Sequence, residues 1–136
     1  MLLVLDEQLS AGAVIDGLAA RGHEVATVAQ LGAQGRSDPD VLLRVDAAAG
    51  RPWVLVTMDL TIGHELPGLR WERYAIAWLS IHEDLTGAAF ERSKREILDR
   101  HADQMAGQRP GDHHTYTLAQ RFTSPPSREA QLRRRL

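Results

Sequence analysis

Apolar residues fall along this chain in two rhythms. Leu2-Leu3-Val4-Leu5, Trp53-Val54-Leu55-Val56-Thr57 and the run from Tyr74 to Ile81 are short and almost unbroken. Such runs predict strands buried on both faces of a parallel sheet. Residues 23–28 (HEVATV) predict a further short strand, and residues 114–122 a last one. Between them the apolar positions space out to three and four. Ala11, Val14, Ile15, Leu18 and Ala19 follow one helix face, with Ser10 placed to cap it and Gly22 to end it. Ser37-Asp38-Pro39-Asp40 opens a second predicted helix that runs to Ala49 and stops at Gly50, and Thr86 opens a third that reaches about Met105. The order β-α-β-α-β-β-α-β predicts an α/β fold, a three-layer sandwich around a mostly parallel central sheet.

Length and composition add limits. The 136 residues, 43% hydrophobic and 25% charged, suit one soluble domain over residues 1–123, with a basic, flexible C-terminal tail over 124–136. A chain of this size hides roughly two-thirds of its unfolded surface and folds without staples. Cysteine is absent, which excludes thiol catalysis and thiolate metal sites. No apolar run reaches the ~20 residues that span a bilayer, and Met1–Leu5 lacks the basic flank of a signal peptide. A cytoplasmic protein with no membrane partner is expected.

The net charge of −2 averages an acidic body over a basic end: residues 109–136 hold six arginines and two acids. That is not the profile of a strongly cationic nucleic-acid binder. Arginine outnumbers lysine fifteen to one, and the single lysine is Lys94.

Functional crevices of open α/β sheets lie beyond the carboxyl ends of the strands. Asp6-Glu7 follow the first predicted strand, Asp38 and Asp40 open the second helix, and Asp59 follows the third strand. Carboxylates gathered on one edge repel unless a cation neutralises them, and hard oxygen donors suit Mg²⁺ or Mn²⁺. Each acid also has a plainer reading: Asp38 and Asp40 as acids favoured by a helix dipole, Asp6 and Asp59 as turn residues. Other α/β chemistries lack their signatures. There is no Gly-x-Gly-x-x-Gly after a strand, no Gly-x-x-x-x-Gly-Lys and no Gly-x-Ser-x-Gly. A receiver-type signalling domain needs a lysine at the end of a late strand, and Lys94 falls inside a helix. His101 reads as a packed histidine. His113 and His114, adjacent in a strand, point to opposite faces and do not chelate one ion together.

Leu3-Val4-Leu5-Asp6-Glu7-Gln8-Leu9-Ser10, Arg21-Gly22-His23-Glu24-Val25, Ser37-Asp38 and Trp53-Val54-Leu55-Val56-Thr57-Met58-Asp59, in that order, resemble the PIN-like family, in particular its compact toxins of VapC type. The resemblance covers roughly residues 2–105. It implies a Rossmann-like sandwich and a toxin–antitoxin ribonuclease that cleaves RNA with Mg²⁺ or Mn²⁺, with a cognate antitoxin protein as partner. By the same resemblance Asp6, Asp38 and Asp59 are the metal ligands, Thr57 orients the site through its hydroxyl, and Glu7 is an auxiliary group. Arg36, beside the Ser37-Asp38 helix start, is the candidate to ground an RNA phosphate. Relatives carry a further acid where this chain has Thr61, and a fourth acid near the next strand, for which Glu83 and Asp84 are the nearest candidates. The alternative is therefore a non-catalytic PIN-like binding module with a degenerate metal site. Trp71, Tyr74 and Trp78 lie close together in sequence and suggest a homodimer if one small core does not take all three.

Overall fold

The computed structural model describes residues 1–32, 38–59, 73–82, 84–118 and 121–122, the side chains of residues 38, 39, 121 and 122 excepted. Six strands form one sheet: β1 (Leu2–Leu5), β2 (Val25–Thr27), β3 (Trp53–Thr57), β4 (Tyr74–Leu79), β5 (His113–Tyr116) and β6 (Arg121–Phe122). Their order across the sheet is β2-β1-β3-β4-β5-β6. The first five in that order run parallel, and β6 closes the edge antiparallel to β5. Three helices, α1 (Gly12–Ala20), α2 (Asp38–Ala49) and α3 (Gly87–Ala106), and one 3-10 turn, Glu7–Leu9, complete the described elements.

The period-two alternation of the strands divides the core into two halves. Leu3, Leu5, Val54, Val56, Ala75, Ala77 and Leu79 face Leu18 of α1 and Ile97, Leu98, Ala102 and Met105 of α3. Leu2, Val4, Trp53, Leu55, Tyr74, Ile76 and Trp78 face Leu42 and Val45 of α2. The result is the expected three-layer sandwich, with α1 and α3 on one face and α2 on the other. Burial on both faces is why these strands read as unbroken apolar runs. Each fully buried aliphatic side chain contributes about 1.5–3 kcal/mol by leaving water.

Several local expectations need correction. Ser10 does not cap α1. A 3-10 turn, Glu7–Leu9, comes first; Ser10 Oγ donates to the Glu7 carbonyl, and Ala11 is the cap residue without a side-chain bond. Thr86 precedes α3 but likewise makes no capping bond through its side chain. The strand expected over 114–122 is two strands, β5 and β6, because the chain reverses between them. Strands β2 and β4 are shorter than their apolar runs. Gly22 does end α1: at φ +89° it sits where a side chain is strained. Its N–H donates to the Ala19 carbonyl while His23 N–H reaches Leu18, the paired bonds of a Schellman ending. Gly50, at φ +64°, ends α2 with a single bond, its N–H donating to the Asp46 carbonyl at 3.4 Å.

Tyr74 and Trp78 are wholly buried. Both fit the core of one chain, so they lend no support to a homodimer; Trp71 lies outside the described residues. The expected tail over 124–136 lies outside them too. No described helix is long and apolar enough to cross a membrane.

Candidate functional site

Strand order reverses beside β1: from β1 the chain moves to β2 on one side, then returns to β3 on the other. The helices of the two crossovers leave on opposite faces, so the carboxyl ends of β1 and β3 form a topological switch point, the usual ligand position in open α/β sheets. Asp6 follows β1 and Asp59 lies two residues past β3, one on each side of this switch point.

The sequence builds this corner from the backbone upward. Asp6 N–H donates to the Val56 carbonyl at 3.0 Å, so the residue still belongs to the β1–β3 ladder. Its backbone is extended (φ −66°, ψ 162°), and its carboxylate caps the 3-10 turn by accepting from Glu7 N–H at 2.9 Å through Oδ1. The turn closes with Leu9 N–H on the Asp6 carbonyl at 2.9 Å. Leu9 is buried and anchors the turn in the half-core under α1 and α3. The other oxygen, Oδ2, accepts from the Thr57 hydroxyl at 2.8 Å. That hydroxyl also accepts from Asp59 N–H at 3.0 Å.

Thr57 is fully buried, and its one donor and an acceptor position are both used. A single hydroxyl therefore joins the carboxylate after β1 to the main chain of the acid after β3. Strand alternation puts Asp6 in step with Leu2 and Val4, and Thr57 in step with Trp53 and Leu55, on the α2 face. Helix α2 begins at Asp38. Because α2 leads from the end of β2 to the start of β3, its first turn stands at the same edge and in the same layer as Asp6 and Asp59.

Other expected residues fall differently. Glu7 is exposed, and what it gives the corner is its backbone N–H. Asp40 is exposed on the first turn of α2, and Asp84 is exposed beside His82, 3.4 Å from Nδ1. Arg36, Ser37, Thr61 and Glu83, and the side chain of Asp38, lie outside the described residues. Among the described residues no three His, Cys, Asp or Glu side chains gather into a metal-binding group. His101 is buried against Tyr116 with ring centroids 5.2 Å apart, and its Nε2 lies 2.9 Å from the Thr117 carbonyl. His113 meets Trp78 and His114 meets Tyr116, on opposite faces.

One residue that motif reading passes over comes to this corner from α3. Lys94 Nζ donates to the Gln8 carbonyl at 3.1 Å, two residues after Asp6. Its helical position argued only against receiver chemistry. The signal was its singularity, one lysine among fifteen arginines, together with Phe90 one turn earlier, whose ring centroid lies 5.1 Å from Nζ.

Comparison with family models, with curated proteins and with solved structures returned no match. The likeness to PIN-like toxins thus rests on the short motifs around Asp6, Asp38 and Asp59.

Proposed function

We propose that this chain is a Mg²⁺- or Mn²⁺-dependent endoribonuclease of PIN-like type, the toxin of a toxin–antitoxin pair whose partner is its cognate antitoxin. One observation carries the reading: Asp6 and Asp59 flank the β1/β3 switch point and are joined through the Thr57 hydroxyl. The donor chemistry fits a hard divalent cation. Each Asp6 oxygen takes one hydrogen bond from a neutral donor and keeps acceptor capacity for a further partner. Carboxylate oxygens are the ligands such ions prefer.

Asp6 and Asp59 would hold the ion together with Asp38, at the start of α2. A bound divalent ion supplies Lewis acidity and lowers the pKa of water for in-line attack on a phosphodiester. Thr57 keeps the Asp6 carboxylate aimed at the crevice while holding the Asp59 backbone, so both acids keep their relative position without a cation. Glu7, exposed at the mouth, is an auxiliary acceptor, and Arg36 would pair with the scissile phosphate.

The test is cleavage of single-stranded RNA with Mg²⁺ or Mn²⁺ by the wild type, Asp6→Asn and Asp59→Asn, with circular dichroism to confirm that each variant folds. Loss of at least about 100-fold in each variant is expected, more than the 10- to 100-fold typical of residues that only support ligands. Equal cleavage in all three chains would remove the assignment.

A second reading, a PIN-like module that binds without cleaving, is favoured by Thr61 standing where relatives carry a further acid. Titration of the wild type with Mn²⁺ separates the two. Uptake in the micromolar to low millimolar range belongs to the nuclease, and none at millimolar concentration to the module.

A further inference from the structure

The 3-10 turn after Asp6 is held from two sides of the sheet. On the α2 side its tie is the Asp6 carboxylate on the Thr57 hydroxyl. On the α1/α3 side Leu9 is buried in the core, and Lys94 reaches the turn from the second helical turn of α3. The Lys94 side chain is only 12% exposed, its ammonium 3.1 Å from the exposed Glu91 carboxylate and close to the Phe90 ring. An ammonium is a compact charge on a long flexible stem. Holding it largely out of water against a main-chain carbonyl costs side-chain entropy and hydration. The bond it makes in return is charge-assisted and stronger than a neutral one.

We infer that Lys94 is a positioning residue for the Asp6 site: its ammonium fixes the Gln8 carbonyl, and with it the turn whose first N–H, that of Glu7, holds the Asp6 carboxylate. The inference rests on the metal-site reading of Asp6 and deepens it. Lys94 touches no ligand in this scheme. It acts through the turn, as groups hydrogen-bonded to metal ligands do elsewhere.

The experiment compares wild type, Asp6→Asn, Lys94→Met and Lys94→Arg by Mn²⁺ calorimetry and by amide hydrogen exchange. Methionine keeps the apolar stem against Phe90 and removes the donor. Lys94→Met is expected to weaken Mn²⁺ binding about tenfold. It should also speed exchange at the Glu7 and Leu9 amides while leaving the core amides of Val54 and Val56 unchanged. Lys94→Arg keeps charge and donors and should recover most of both losses. Loosening of the whole fold would instead speed exchange at Val54 and Val56 in step. Unchanged Mn²⁺ affinity and turn exchange in Lys94→Met overturns the inference by itself, with Asp6→Asn still abolishing uptake. A wild type that takes up no Mn²⁺ overturns the metal reading and the role of Lys94 with it.

Discussion

Where the strands begin, carboxylates meet cations. Asp46 near the end of α2 accepts from Arg73 Nε at 2.8 and 3.0 Å and from Trp53 Nε1 at 2.9 Å. Arg51 pairs with Glu24. Where the strands end, Asp6 is held by a hydroxyl and a backbone N–H, and no described cation lies within ion-pairing distance of it. The contrast separates two uses of one residue type. An acid that only supports a fold gains most from a fixed internal cation, since a desolvated charge is otherwise costly. An acid held in place by neutral donors keeps its charge for something from outside. That difference is the one the proposed metal site at the β1/β3 edge would use.

The largest effects should therefore separate by edge. Asp6→Asn keeps an acceptor for Glu7 N–H and removes the charge, so cleavage should fall at least about 100-fold with the thermal midpoint nearly unmoved. Asp46→Asn at the opposite edge should do the reverse. It leaves Arg73 without its counter-charge in a half-buried setting, a loss of about 1–2 kcal/mol. At the usual scaling for a chain of this length that lowers Tm by roughly 3–10 °C, with cleavage per folded molecule unchanged. Calorimetric melting and an RNA assay on the same two variants check both halves. A melting loss in Asp6→Asn as large as in Asp46→Asn would erase the distinction between the edges.

The layers were legible in the sequence because burial acts on whole runs. Leu2–Leu5 and residues 53–56 carry no polar position that would turn one face to water, and the structure buries both faces. Gly22 and Gly50 were legible as helix ends because only glycine takes their positive φ without strain. What failed was local competition for hydrogen bonds. Ser10 has the chemistry of a helix cap, but Asp6 captures the chain first, and the extra turn ends on Ser10, one residue short of the cap position at Ala11. The pairing of Asp6 with Thr57 spans fifty-one residues. Periodicity holds no record of that contact; only the ordered motifs suggested it. Lys94 was hidden for the same reason, since its partner is a main-chain carbonyl eighty-six residues away, and a carbonyl leaves no trace in residue type. Gln108 is a parallel case: it is buried, donates to the Ile76 and Asp112 carbonyls and accepts from the Tyr116 hydroxyl.

The smallest predicted effect sharpens the same contrast by pH. Tyr74 opens β4 at the edge where the strands begin, stacked on Trp53 with ring centroids 5.2 Å apart. Burial pushes its phenol up to about 12, from an ordinary value of 10.0. The folded state thus favours the protonated phenol, and the unfolded chain ionises first. This part of the stability is whole below pH 10 and drains away as pH rises through 10 toward 12. By pH 11 the loss reaches roughly 1 kcal/mol. Tyr74→Phe keeps the stack on Trp53 and removes the ionising group, so urea unfolding between pH 9 and 11 should show a shallower decline than in the wild type. Asp6→Asn, at the far edge, should decline with the wild-type slope. Parallel declines in wild type and Tyr74→Phe would place the alkaline weakness elsewhere. A slope lost only in Tyr74→Phe locates a pH-dependent share of stability where the strands begin, apart from the carboxylate that the metal reading needs.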